Sequence, residues 1–142
     1  MARTVEIVYP VCCGMDVHKN FLVACIAVTD ERSHTEHQLR RFSTFTGDLR
    51  RLATWLASYN CCDVCMESCG KYWIPVFNAL EKAGINVCLT HPKYVKAIKG
   101  KKTDKKDAKW ISELFKCDLV RSSFIPPPDI RQLRDLCAIT LN

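Results

Sequence analysis

Four acidic residues stand where an ordinary surface carboxylate would not be expected. Asp16 follows the apolar run VCCGM, Glu67 follows DVCM, and Asp104 and Asp107 stand inside the lysine-rich stretch KGKKTDKKDA. An ionised carboxylate set among apolar residues is costly unless it is hydrogen-bonded, paired or bound to a cation. Asp104 and Asp107 are three apart, so a helix starting after Thr103 puts them on one face. Four carboxylates brought to one point could hold two hard divalent cations, whose natural ligands are oxygens. Such a pair of ions stabilises both the attacking and the leaving oxygen in phosphoryl transfer. Taken singly, each residue also has a structural reading. Asp16 could cap a turn, Glu67 could help start the next helix, and Asp104 and Asp107 could complement a helix N-terminus behind Thr103.

The surroundings favour a polyanionic partner. Lys93, Lys96, Lys99, Lys101, Lys102, Lys105, Lys106 and Lys109 crowd around the two aspartates, and Lys19 follows Asp16 closely. Lysines so placed would neutralise and position a phosphate backbone that a bare acidic cluster would repel. His18 reads as a partner of Asp16, a phosphate contact or a turn histidine. His91, before Pro92, reads as structural. Tyr72 and Trp73 could touch a nucleotide or pack in the core.

The elements that must position these groups are legible from periodicity. Val11 to Val17, Phe21 to Val28 and Glu36 to Phe42 read as three strands with short links, hence an antiparallel meander. Leu49, Leu52, Ala53, Leu56 and Ala57 then fall at helical spacing, with the start at Thr46 or Gly47. A strand over Cys61 to Met66, a helix over Tyr72 to Ala83 ended by Gly84, and a strand over Ile85 to Thr90 follow. A helix over Asp104 to Phe115, an extended segment over Ser122 to Pro128 and a helix from Asp129 to Leu141 complete the chain. This pattern is a mixed α/β sheet with helices packed on it. A right-handed crossover sets the strand ending at Met66 beside the first strand, and Asp16 beside Glu67.

Length and composition bound the remaining classes. At 142 residues, 48% hydrophobic and 25% charged, the chain is one globular domain. A net charge of +6 suits nucleic acid or an anionic membrane surface. No apolar run is long enough to span a bilayer and no signal peptide opens the sequence, so membrane insertion and secretion are not expected. The ten cysteines mostly occupy aliphatic positions, as Cys25, Cys65, Cys88 and Cys137 do, and read as reduced, small hydrophobes of a cytosolic protein. Cys62 and Cys65 have CxxC spacing, but no second pair completes a zinc site. The last helix runs to the chain end without a C-cap, which predicts truncation or completion by a partner. Its Leu133 and Leu136 would favour self-association as a homo-oligomer.

The ordered set GMDVHK, MESCGKYW, GKKTDKKDA and SFIPPPDIRQLRDL resembles the N-terminal domain of DEDD-type insertion-sequence transposases, RNA-guided recombinases of the insertion-sequence-110 family. The resemblance covers residues 11 to 141. It implies a ribonuclease H-like (RuvC-like) fold, with the family's four acidic positions on Asp16, Glu67, Asp104 and Asp107. It further implies Mg²⁺ or Mn²⁺ as cofactor, cleavage and exchange of DNA strands of a mobile element and its target, and a structured guide RNA. A bacterial, nucleoid-associated cytoplasmic location follows. Residues 1–125 would be the RuvC-like domain and 126–142 the start of a helical connector. The family's second domain, with its serine nucleophile, would lie outside this chain, leaving the fragment unable to recombine DNA alone. Ser68, Ser112, Ser122 and Ser123 are not candidates for that role. A nonenzymatic module binding RNA or branched DNA is the alternative, and a junction nuclease acting alone is a third reading.

Overall fold

The computed structural model describes residues 7–68, 70–90 and 104–117, with the side chains of residues 68 and 104–107 excepted. Five strands form one sheet in the order β3-β2-β1-β4-β5. They are β1 (Val11–Val17), β2 (Phe21–Thr29), β3 (Thr35–Ser43), β4 (Asp63–Ser68) and β5 (Asn86–Thr90), with helices α1 (Thr46–Ser58), α2 (Trp73–Lys82) and α3 (Asp104–Lys116). β1, β2 and β3 are the expected antiparallel meander. β4 joins β1, and β5 joins β4, in parallel. The expected helix from Asp129, the extended Ser122 to Pro128 and His91 lie outside the described residues.

Burial explains why each segment takes its form. β1 and β2 are buried on both faces, which is why they read as continuous apolar runs rather than as alternation. β3 is the sheet edge and is mostly exposed, consistent with its polar residues. Leu49, Leu52 and Leu56 put one stripe of α1 into the core, and Val76, Phe77 and Leu80 do the same for α2. Pro75 sits in the first turn of α2, where its missing N–H removes no helical bond. Gly84 follows that helix at φ +83°, a conformation that favours glycine.

One boundary differs from expectation in a way that matters. The strand expected over Cys61 to Met66 runs from Asp63 to Ser68. Asn60 turns the chain at φ 54° and the Cys61 N–H donates to the Leu56 carbonyl at 3.0 Å, so Cys61 still belongs to the end of α1. The shift places Glu67 inside β4 rather than in the approach to α2.

Two helical layers sandwich the sheet. Cys13, Met15 and Val17 of β1 and Val64 and Met66 of β4 face α1 and α2 in the larger core. The alternate residues Cys12 and Cys65 face α3, against Ile111 and Phe115. Val23 and Cys25 meet Ala108 on the same side. Burying the Ile111 and Phe115 side chains contributes about 1.5–3 kcal/mol each. Cys12, Cys13, Cys25, Cys61 and Cys65 are buried free thiols, and burial pushes the Cys61 thiol up to about 12. Cys62 is exposed while Cys65 is fully buried, so the CxxC pair does not converge on one site.

Candidate acidic site on the sheet

The second sheet face owes its geometry to one glycine. A Cβ at Gly14 would lie 2.3 Å from the Ser112 backbone nitrogen and 2.6 Å from the Ala108 carbonyl oxygen. The absence of a side chain therefore lets α3 rest directly on β1. The helix runs antiparallel to the strand. The Lys116 carbonyl accepts from the Tyr9 N–H at 2.9 Å, the Ser112 carbonyl accepts from Cys12 Sγ at 3.7 Å, and Ala108 lies over Gly14. Moving up β1 toward Val17 thus means moving down α3 toward its first turn.

Asp16 is two residues beyond Gly14 and shares its face. Its Cα partner on β4 is Glu67, which in turn lies two residues beyond Cys65 on that face. Asp16 is 5% exposed and Glu67 3%, so two carboxylates are buried side by side on neighbouring parallel strands. Strand spacing separates their backbones by about 4.8 Å. His18, in the turn after β1, has Nε2 3.0 Å from Asp16 Oδ2. Its ring stacks on Phe21 at 4.5 Å, which fixes the imidazole beside the carboxylate. Asp16 thus lies within β1 and reaches the turn that follows it through His18, and Glu67 lies within β4, ahead of α2.

Asp104 and Asp107 lie in the first turn of α3, three apart on the helix as expected. Their side chains, and those of Lys105 and Lys106 between them, lie outside the described residues. Lys93, Lys96, Lys99, Lys101 and Lys102 lie outside them altogether. Lys19 is exposed in the turn beside His18. Among the described residues no group of three or more metal-ligating side chains is found. Trp73 packs edge-on to Phe77 and against the core, while Tyr72 is exposed just before α2. Ser112 is buried, and its hydroxyl donates to the Lys109 carbonyl at 2.7 Å, a local helix bond. Among the described residues no helix is long and apolar enough to cross a membrane.

Sequence reasoning passed over Gly14 and Phe21. A glycine within an otherwise apolar strand is the usual mark of close backbone approach, and that signal was present in VCCGMDV. Phe21 carried no comparable mark, because its ring acts through the fold by holding His18.

The fold is that of known resolvases. Thermus thermophilus RuvC in complex with a Holliday junction substrate superposes with a TM-score of 0.57 at 13% identity, over 81% of this chain and all of that one. The fowlpox virus resolvase, in its complex with Holliday junction DNA, gives 0.54 at 13% identity over 76% of this chain and 99% of that one. Both likenesses establish a ribonuclease H-like (RuvC-like) architecture. No curated protein matches the sequence. A family model described as "Transposase" matches residues 13–141. The chain belongs to the DEDD transposase family of the insertion-sequence-110 type.

Proposed function

We propose that this is the acid-bearing domain of a DNA-recombining transposase, in which Asp16, Glu67, Asp104 and Asp107 hold Mg²⁺ or Mn²⁺ against the DNA backbone. The observation that carries the reading is the buried, register-matched pair Asp16 and Glu67 on the face covered by α3. An all-oxygen donor set of this kind suits a hard divalent ion. Counting one turn back from Ala108, which lies over Gly14, brings Asp104 level with Asp16, because four helical residues and two strand residues both advance about 6 Å. Counting one turn back from Ile111, which packs on Cys12 and Cys65, brings Asp107 toward the β1 and β4 ends that carry Asp16 and Glu67. The backbone register thus supports convergence of all four.

Bound cations would supply charge stabilisation to oxygens on phosphorus. The chain's own residues do the rest. His18 orients the Asp16 carboxylate, and Phe21 holds His18. Lys19 and the lysines from Lys93 to Lys106 bind the phosphate backbone and offset the acidic cluster. A structured guide RNA and a second copy of the chain complete the proposed assembly, with residues 1–125 as the acidic domain and 126–142 as the start of its connector.

A Mn²⁺ titration of the protein and of Asp16→Asn tests the reading. Tight binding that falls at least about tenfold in the variant supports it. An unchanged titration, with nucleic-acid binding retained, supports the nonenzymatic alternative instead.

A further inference from the structure

A second basic feature lies away from the acidic pair, at the free edge of the sheet. Arg40 and Arg41 of β3 and Arg50 and Arg51 of α1 line a surface groove of about 590 Å³, with Thr54, Trp55 and Ser58 along its wall. All four arginines are exposed. The one carboxylate in the groove is Asp48, which accepts from Arg51 at 2.6 Å and from the Ser43 N–H at 3.0 Å. The first of the hydrogen bonds that hold its carboxyl below the usual range comes from Ser43, the next from Arg51. Asp48 thus stays ionised and braces Arg51, leaving three guanidinium charges uncompensated among the described residues.

The groove presents guanidinium groups rather than open aromatic rings. Arg40 lies over the rings of Phe42 and Trp55, at 5.8 and 5.9 Å, and Trp55 also packs edge-on to Tyr59. Arg40 thus already occupies a position over each groove ring that a stacking base would need. Planar guanidinium forks match phosphate oxygens.

One groove residue, Arg41, turns to the sheet face opposite Arg40, which is the face that carries the acidic pair. Arg41 pairs with Val23, Val23 with Asp16, and Asp16 with Glu67, so the four share one transverse row and one sheet face. Two strand spacings put the Arg41 backbone about 10 Å from that of Asp16. That is about three base-pair steps of duplex at 3.4 Å each. The Arg41 guanidinium lies 3.9 Å over the Phe21 ring, the same ring that stacks on His18. Arg41 is thereby held at the junction of groove and acidic row.

We propose that the β3–α1 groove binds the phosphate backbone of duplex DNA flanking the phosphate presented to Asp16 and Glu67. The choice of DNA rests on the function proposed above, whereas the charge and shape of the groove do not. Binding of a fluorescent DNA duplex to the 142-residue protein, measured across a salt series in EDTA, tests it without any metal. Arg41→Ala with Arg50→Ala, two of the uncompensated arginines, is expected to weaken binding about tenfold and to make the log–log salt slope shallower by about 2, one counterion-releasing contact per arginine. Arg41→Lys with Arg50→Lys is expected to keep the slope. An unaltered affinity and slope in the alanine variant overturns the groove. Tighter binding of an RNA duplex of the same sequence, lost in the same variant, overturns the assignment to DNA. Failure of the Mn²⁺ titration alone leaves the EDTA result standing, so the two readings fail separately.

Discussion

Gly14 and Ser112 touch backbone to backbone, so closely that a single added carbon on Gly14 would stand 2.3 Å from the Ser112 nitrogen. The contact sets the height of α3 above β1, and with it the distance from the first turn of the helix to Asp16. Gly14→Ala must push the helix away, because the neighbouring atoms are backbone and cannot rotate aside. A destabilisation of at least about 1–3 kcal/mol is expected from the overpacking. Urea unfolding measures it, and a variant as stable as the parent would mean that the helix has room to shift.

The sheet was readable from the chain because periodicity and turn chemistry agree there. The meander followed from short links, and the Asp16–Glu67 neighbourhood from the handedness of the crossover into β4. The end of β4 was not readable, since Asp63 breaks the apolar run where the strand begins and Glu67 and Ser68 are polar where it continues. The arginine groove was invisible for a different reason. Arg40 and Arg41 are adjacent on a strand and so point to opposite faces, and only the packing of α1 brings Arg50 and Arg51 to them.

At the other end of α3, Glu113 ties the helix to the edge strand. Partial burial raises its carboxyl, but a hydrogen bond and ion pair with Lys116, joined by His37 3.5 Å away, outweigh this and hold it below its ordinary value of 4.5. Lys116 also donates to Thr35 Oγ1 at 3.1 Å. A depressed carboxyl contributes stability above its unfolded value that is lost as pH falls through the folded one. Glu113→Gln is therefore expected to lower stability near neutrality and to flatten the loss below pH 4.5, as read from urea midpoints across a pH series. An acid limb identical to the parent's would remove Glu113 from the account.

The lysine stretch is expected to act electrostatically. Neutralising Lys101, Lys102, Lys105 and Lys106 with glutamine should weaken binding to branched DNA or RNA roughly equally across sequences and reduce the salt dependence. Equal affinity in a filter or anisotropy assay would leave those lysines without a role in binding.

The central claim is the convergence of four carboxylates on a shared cation, and crystals grown with Mn²⁺ test it most directly. The account predicts anomalous density between the Asp16 and Glu67 carboxylates, with Asp104 or Asp107 completing the coordination. Ordered carboxylates with no such density, or α3 aspartates turned away from β1 and β4, would contradict it.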